Sequence, residues 1–114
     1  MSYADCFAAA VPNANKADYQ RHAESAAECF KENGALSVTE CWGHDVAPGE
    51  ITSFPLAVQC KEDETVVIGF VLWPSKETRD AAWEKVMQDP RMAGPMPFDG
   101  KRLIYGGFET LFQK

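Results

Sequence analysis

Between positions 40 and 45 the chain reads Glu40-Cys41-Trp42-Gly43-His44-Asp45: an acid, a thiol, an indole, an imidazole and a second acid in one short stretch. General acid–base chemistry needs a group of a type that can titrate near neutral pH, and the imidazole of His44 is of that type. Asp45 is the carboxylate that would orient it. Consecutive residues of a strand point to opposite faces, so a His44–Asp45 pair requires a bend. Without one, the segment is a solvated loop that follows a strand. A second group comprises Asp89-Pro90-Arg91, Asp99-Gly100-Lys101-Arg102 and Tyr105. A guanidinium grips a carboxylate through paired N–H donors. Arg91 and Arg102 can therefore hold an acidic ligand, or equally an aspartate that pins the proline-rich loop between them. Tyr105 offers a proton donor or an orienting hydroxyl. Trp42, Phe70 and Trp73 supply aromatic walls for a small, partly aromatic molecule.

Other reactive side chains point to no chemistry. Cys6, Cys29, Cys41 and Cys60 are scattered, with no C-x-x-C pair, and neither they nor His22 and His44 show zinc-site spacing. No metal and no cofactor is expected, and the thiols read as small buried hydrophobes of a reducing compartment. His22 adjoins the apolar stripe of a helix and reads as a surface or boundary residue. Gly106-Gly107 lacks a phosphate-loop pattern and marks a bulge or a close backbone approach in a strand.

Positioning these residues requires regular elements, which hydrophobic periodicity outlines. Tyr3 to Val11 is apolar at nearly every position and reads as a strand buried on both faces. Tyr19, Ala23, Ala26, Ala27 and Phe30 form one stripe of a helix from about Lys16 to Asn33, closed by Gly34. Leu36, Val38, Glu40 and Trp42 alternate with Ser37, Thr39 and Cys41 in a second strand. A loop from His44 to Phe54 precedes a short extended piece, Leu56 to Cys60, and a charged turn, Lys61 to Glu64. Thr65 to Trp73 (TVVIGFVLW) is the clearest strand, β-branched and aromatic without a charge. Pro74 stops it, and Ser75 caps a second helix whose inner face carries Ala82, Val86, Trp83 and Met87. Asp89-Pro90 ends that helix, and the last strand runs from Arg102 to Phe112.

The order β-α-β-β-α-β predicts a ferredoxin-like α+β fold, one antiparallel four-stranded sheet with both helices on one face. The 114 residues, 1–114, make a single domain. An uncovered sheet face should alternate with polar residues. Here Val66, Ile68, Phe70 and Leu72 oppose Val67, Val71 and Trp73, and Ala4, Cys6, Ala8 and Ala10 oppose Tyr3, Phe7, Ala9 and Val11. Both faces are apolar, so a homodimer joining two sheets into an α+β barrel is expected. The rival arrangement is a monomer whose central loop folds over the sheet.

A net charge of −6 with no cluster of Lys or Arg argues against nucleic acid and anionic membrane surfaces as partners. The N-terminal residues lack signal-peptide character and no apolar run would span a membrane, which predicts a cytoplasmic location.

Several runs have a familiar order: Met1-Ser2-Tyr3-Ala4-Asp5-Cys6-Phe7, Glu40-Cys41-Trp42-Gly43, Thr52-Ser53-Phe54-Pro55, Asp89-Pro90-Arg91-Met92, and Met96 through Phe108 (MPFDGKRLIYGGF). Together they resemble the YbaA-like family of small bacterial proteins of unknown function. The resemblance spans nearly the whole chain and implies a dimeric α+β barrel, but no activity. The wider barrel superfamily includes cofactor-independent monooxygenases, isomerases, haem-degrading enzymes and non-enzymes, an analogy of fold alone. Three readings stand at this point: a binder of a small aromatic or acidic metabolite, a non-enzymatic dimeric interaction module, and a monooxygenase- or isomerase-like enzyme.

Overall fold

The computed structural model describes residues 2–114. Strand β1 (Tyr3–Pro12) leads through a 3-10 turn into helix α1 (Lys16–Glu32), followed by strand β2 (Ser37–Trp42). A short helix α2 (Phe54–Ala57), strand β3 (Glu64–Trp73), helix α3 (Lys76–Val86) and strand β4 (Ile104–Glu109) complete the chain. The sheet order is β2-β3-β1-β4 with every neighbour antiparallel, the ferredoxin-like α+β arrangement.

Local chemistry sets most boundaries. Gly34, at φ +106°, takes the left-handed conformation that ends α1. The Ser75 hydroxyl accepts from the Thr78 amide at 3.1 Å and caps α3. Leu56 to Cys60, expected to be extended, instead belongs to α2 and the turn after it. Ser53 caps α2 by accepting from the Leu56 amide at 3.0 Å, and Pro55 has the fixed φ that suits a helical first turn. β4 is shorter than expected, because Asp99 caps a 3-10 turn, Gly100–Arg102, that takes Arg102 off the strand. Ala82 and Val86 are buried on α3 as expected, whereas Met87 is exposed at the helix end.

Alternation divides the sheet residues between a helix-covered face and an open one. Tyr3, Val71 and Trp73 pack with Phe30, Ala82 and Val86, while Ala9, Val11 and Val67 pack with Tyr19. On the opposite face, Ala8, Ala10 and Val66 meet Val58, fully buried just beyond α2. Burying that valine contributes about 1.5–3 kcal/mol and holds the central loop on the sheet. The cover is partial: Phe70, Ile104 and Phe108 remain exposed.

Two glycines permit close approaches. A Cβ at Gly107 would collide with the Tyr3 hydroxyl, so the close approach expected at Gly106-Gly107 falls at Gly107, within an unbroken ladder. Gly69 is the cross-strand partner of both Phe7 and Glu40. A Cβ there would collide with the Phe7 ring and lie 3.0 Å from the Glu40 Cγ.

Candidate functional site

Two carboxylates enter the space between sheet and helices. Asp5 is saturated. Its Oδ2 accepts from the Trp73 and Trp83 indoles, each at 2.9 Å, and the Arg79 guanidinium binds its Oδ1 at 2.7 Å. Arg79 also lies over the Tyr3 ring, 5.4 Å from its centroid. Both oxygens of Asp5 accept from more than one N–H donor, so this node ties β1, β3 and α3 together.

Glu40 differs. It shares the inward face of β2 with Val38 and Trp42, and its Oε1 accepts from the hydroxyl of Tyr19 on α1. Burial pushes the Glu40 carboxyl above the usual range, partly countered by that hydrogen bond. Burial and the adjacent carboxyl push the Tyr19 phenol far above its ordinary value, so it stays a donor. No buried side-chain N or O atom among the described residues lacks a partner. Tyr19 engages only Oε1; Oε2 has no hydrogen-bond partner and is not fully buried, and Glu40 lines the adjoining cleft.

That cleft, about 380 Å³, lies between α1 and β2. Helical spacing aligns its α1 wall: Lys16 and Gln20 at one end, Tyr19 in the middle, Ala23 and Ala27 beyond. Trp42, Val38 and Val67 form the sheet wall. Lys16 Nζ sits 5.0 Å from the Trp42 ring centroid and takes part in no ion pair among the described residues. It is also the first residue of α1, where a cation opposes the helix dipole and an anion would relieve it.

The residues singled out from the sequence do not form one site. Trp42 lines the cleft, but Trp73 is fully buried and committed to Asp5. Phe70 faces the other side of the sheet, in an apolar hollow of about 390 Å³ with Ile68, Ile104, Phe108 and Phe54. Tyr105 borders that hollow from the edge strand and is 80% exposed. His44 and Asp45 are exposed in a bend after β2 and line neither cavity.

Neither arginine is free for an anionic ligand. Arg102 grips both oxygens of Glu64 at 2.7 and 2.8 Å and binds Asp99 at 2.9 Å. It also donates to the Gln59 carbonyl at 2.8 Å, pinning the turn where Gln59 has φ +50°. Arg91 pairs with Asp89 at 2.7 Å and with Glu32. Both serve the structural alternative. Cys29 is buried and donates to Asp89 at 3.4 Å, and burial raises the thiols of Cys6, Cys29 and Cys60, which weakens them as nucleophiles.

Sequence reading missed Tyr19, Lys16 and the role of Glu40. The signal was parity: Glu40 is the one acid on a strand face otherwise formed by Leu36, Val38 and Trp42.

Comparison with known proteins places this architecture. The chain is 50% identical to the uncharacterized protein YbaA of Escherichia coli K12 over 117 aligned residues, covering all of both chains. It has the same identity and coverage with the uncharacterized YbaA of Shigella flexneri. Among solved structures it is similar to a mutant form of SnoaB, a cofactor-independent oxygenase from Streptomyces nogalater. That match has a TM-score of 0.55 and 11% identity and covers 98% of this chain and 95% of the other, a likeness of fold alone. Residues 2–100 match the family model described as "Protein of unknown function (DUF1428)", and the chain belongs to that family.

Proposed function

We propose that the protein binds a small aromatic acid in the cleft between α1 and β2. The observation that carries this reading is the set of groups converging there: a Glu40 oxygen on the floor, Trp42 and alanine walls, and the unpaired Lys16 ammonium at one end. The volume is that of a small-ligand pocket. The carboxylate of the ligand pairs with Lys16, the role first expected of Arg91 and Arg102, and its ring lies along the apolar wall. Titration with 3-phenylpropanoate, followed by tryptophan fluorescence, tests this. The expected result is a saturable change that disappears in Trp42→Phe and weakens several-fold in Lys16→Ala, an exposed charge pair being worth at most about 1 kcal/mol. No response to this or to related aromatic acids would overturn the reading.

A homodimer completes the proposal. The hollow around Phe70, Ile104 and Phe108 is apolar, Leu111 and Phe112 beyond β4 are also exposed, 88% and 74%, and a second copy is the occupant that would cover these side chains. Sedimentation at the dimer mass supports pairing, and a stable monomer of 12.6 kDa at micromolar concentration would contradict it. The scattered thiols favour a cytoplasmic location. No helix among the described residues is long and apolar enough to cross a membrane.

A further inference from the structure

We infer that Glu40 is a catalytic base, and that the cleft enolises an aromatic keto acid by removing a proton from the carbon beside its carbonyl. This rests on the cleft being the ligand site and goes beyond it, because binding alone gives Glu40 no need of an open oxygen. The geometry supplies what a carboxylate base requires. Tyr19 holds one oxygen of Glu40, and the other is unpartnered and accessible on a residue that lines the cleft a ligand would fill. Partial removal from water also strengthens the carboxylate as a base.

The step balances without an oxidant or a reductant. Glu40 Oε2 takes the proton, the electron pair of the C–H bond becomes the carbon–carbon double bond, and the carbonyl π pair moves onto oxygen as enolate. Lys16 is the one cation lining the cleft and stabilises the added negative charge. Glu40, now a neutral acid, returns a proton to oxygen to give the enol. Alternatively, after exchange with water, it returns one to carbon and regenerates the ketone. Tyr19 is a positioning residue, since it acts through Glu40. The other titratable groups lining the cleft are Glu24 and Cys41.

The probe is phenylpyruvate in D2O, with loss of its benzylic proton signal followed by NMR. The wild-type protein should exchange these protons about 10²-fold or more faster than buffer at equal pH. With phenylpyruvate raised to offset any change in affinity, Glu40→Gln should fall to the buffer rate, and Glu40→Asp, with its shorter reach, should fall most of the way. Tyr19→Phe should keep exchange but shift the acid limb of its pH profile upward, because the phenol no longer stabilises the carboxylate. Binding of 3-phenylpropanoate without accelerated exchange by the wild type, or full exchange by Glu40→Gln, would overturn the inference and leave the binding reading intact. Neither binding nor exchange would overturn both.

Discussion

Asp5 and Glu40 sit on neighbouring parts of the same sheet face, yet the chain treats them in opposite ways. Asp5 receives two indoles and a guanidinium, so its charge is neutralised and no lone pair is left for a visitor. Glu40 receives one phenol and keeps an unpartnered oxygen on the lining of an open cleft. A partly buried carboxylate with complete partners stabilises an arrangement, whereas one with an unpartnered, accessible oxygen beside a cavity is a candidate for chemistry. The same contrast sorts the cations. Arg79, Arg91 and Arg102 are held by carboxylates, and Lys16 rests only on a ring.

Removing partners should affect the two regions very differently. Asp5→Ala strands two indole N–H groups and a guanidinium, and the expected loss is about 3–5 kcal/mol, the scale for breaking a buried charge pair. Urea denaturation measures it, and a loss below about 1 kcal/mol would show that the node matters little. Gly69→Ala places a methyl against the Phe7 ring and the Glu40 Cγ. Overpacking there should destabilise by about 1–3 kcal/mol and lower ligand affinity together, whereas an unchanged affinity would separate Glu40 from the site.

Glu64 sharpens the comparison through pH. Its paired Arg102 holds the carboxyl down to about 2, against an ordinary value of 4.5. A depressed folded pKa stabilises the fold above the ordinary value. That contribution is fully present above pH 4.5 and is lost as pH falls towards 2. Glu64→Gln should therefore be less stable at neutral pH and show a shallower loss of stability across that window. An unchanged acid limb would remove Glu64 from the account of acid stability. The smallest effect is expected from Arg91→Ala, whose ion pair with Glu32 is solvent-exposed: little change in denaturation midpoint and none in ligand response. A lost ligand response would return Arg91 to the site.

Much of this fold is legible from local pattern. TVVIGFVLW has to be a strand, and the stripe from Tyr19 to Phe30 has to face a core, because burial follows periods of two and of 3.6 residues. The site is less legible because its contacts are long-range. Asp5 is a lone acid in an apolar strand whose indole partners, Trp73 and Trp83, are 68 and 78 residues away. Tyr19 reads as one more apolar stripe position until α1 is packed onto β2, where its hydroxyl meets Glu40. His44 and Asp45 have apt chemistry but sit in a bend and line neither of the two cavities described, and Phe70 and Trp42 are separated by the sheet itself. α2 escapes a local reading because Ser53 and Pro55 act as a helix start only when followed by the turn that Val58 anchors.

The most direct test of the contrast between a saturated Asp5 and an available Glu40 is to locate where a ligand lands. NMR chemical-shift mapping of the protein with 3-phenylpropanoate distinguishes the two cavities by residue. The expected result is perturbation of the Trp42 indole and the Ala23 and Ala27 methyls, with Trp73 and Trp83 unmoved. Perturbation confined to Phe70, Ile104 and Phe108, or none at saturating ligand, would contradict it.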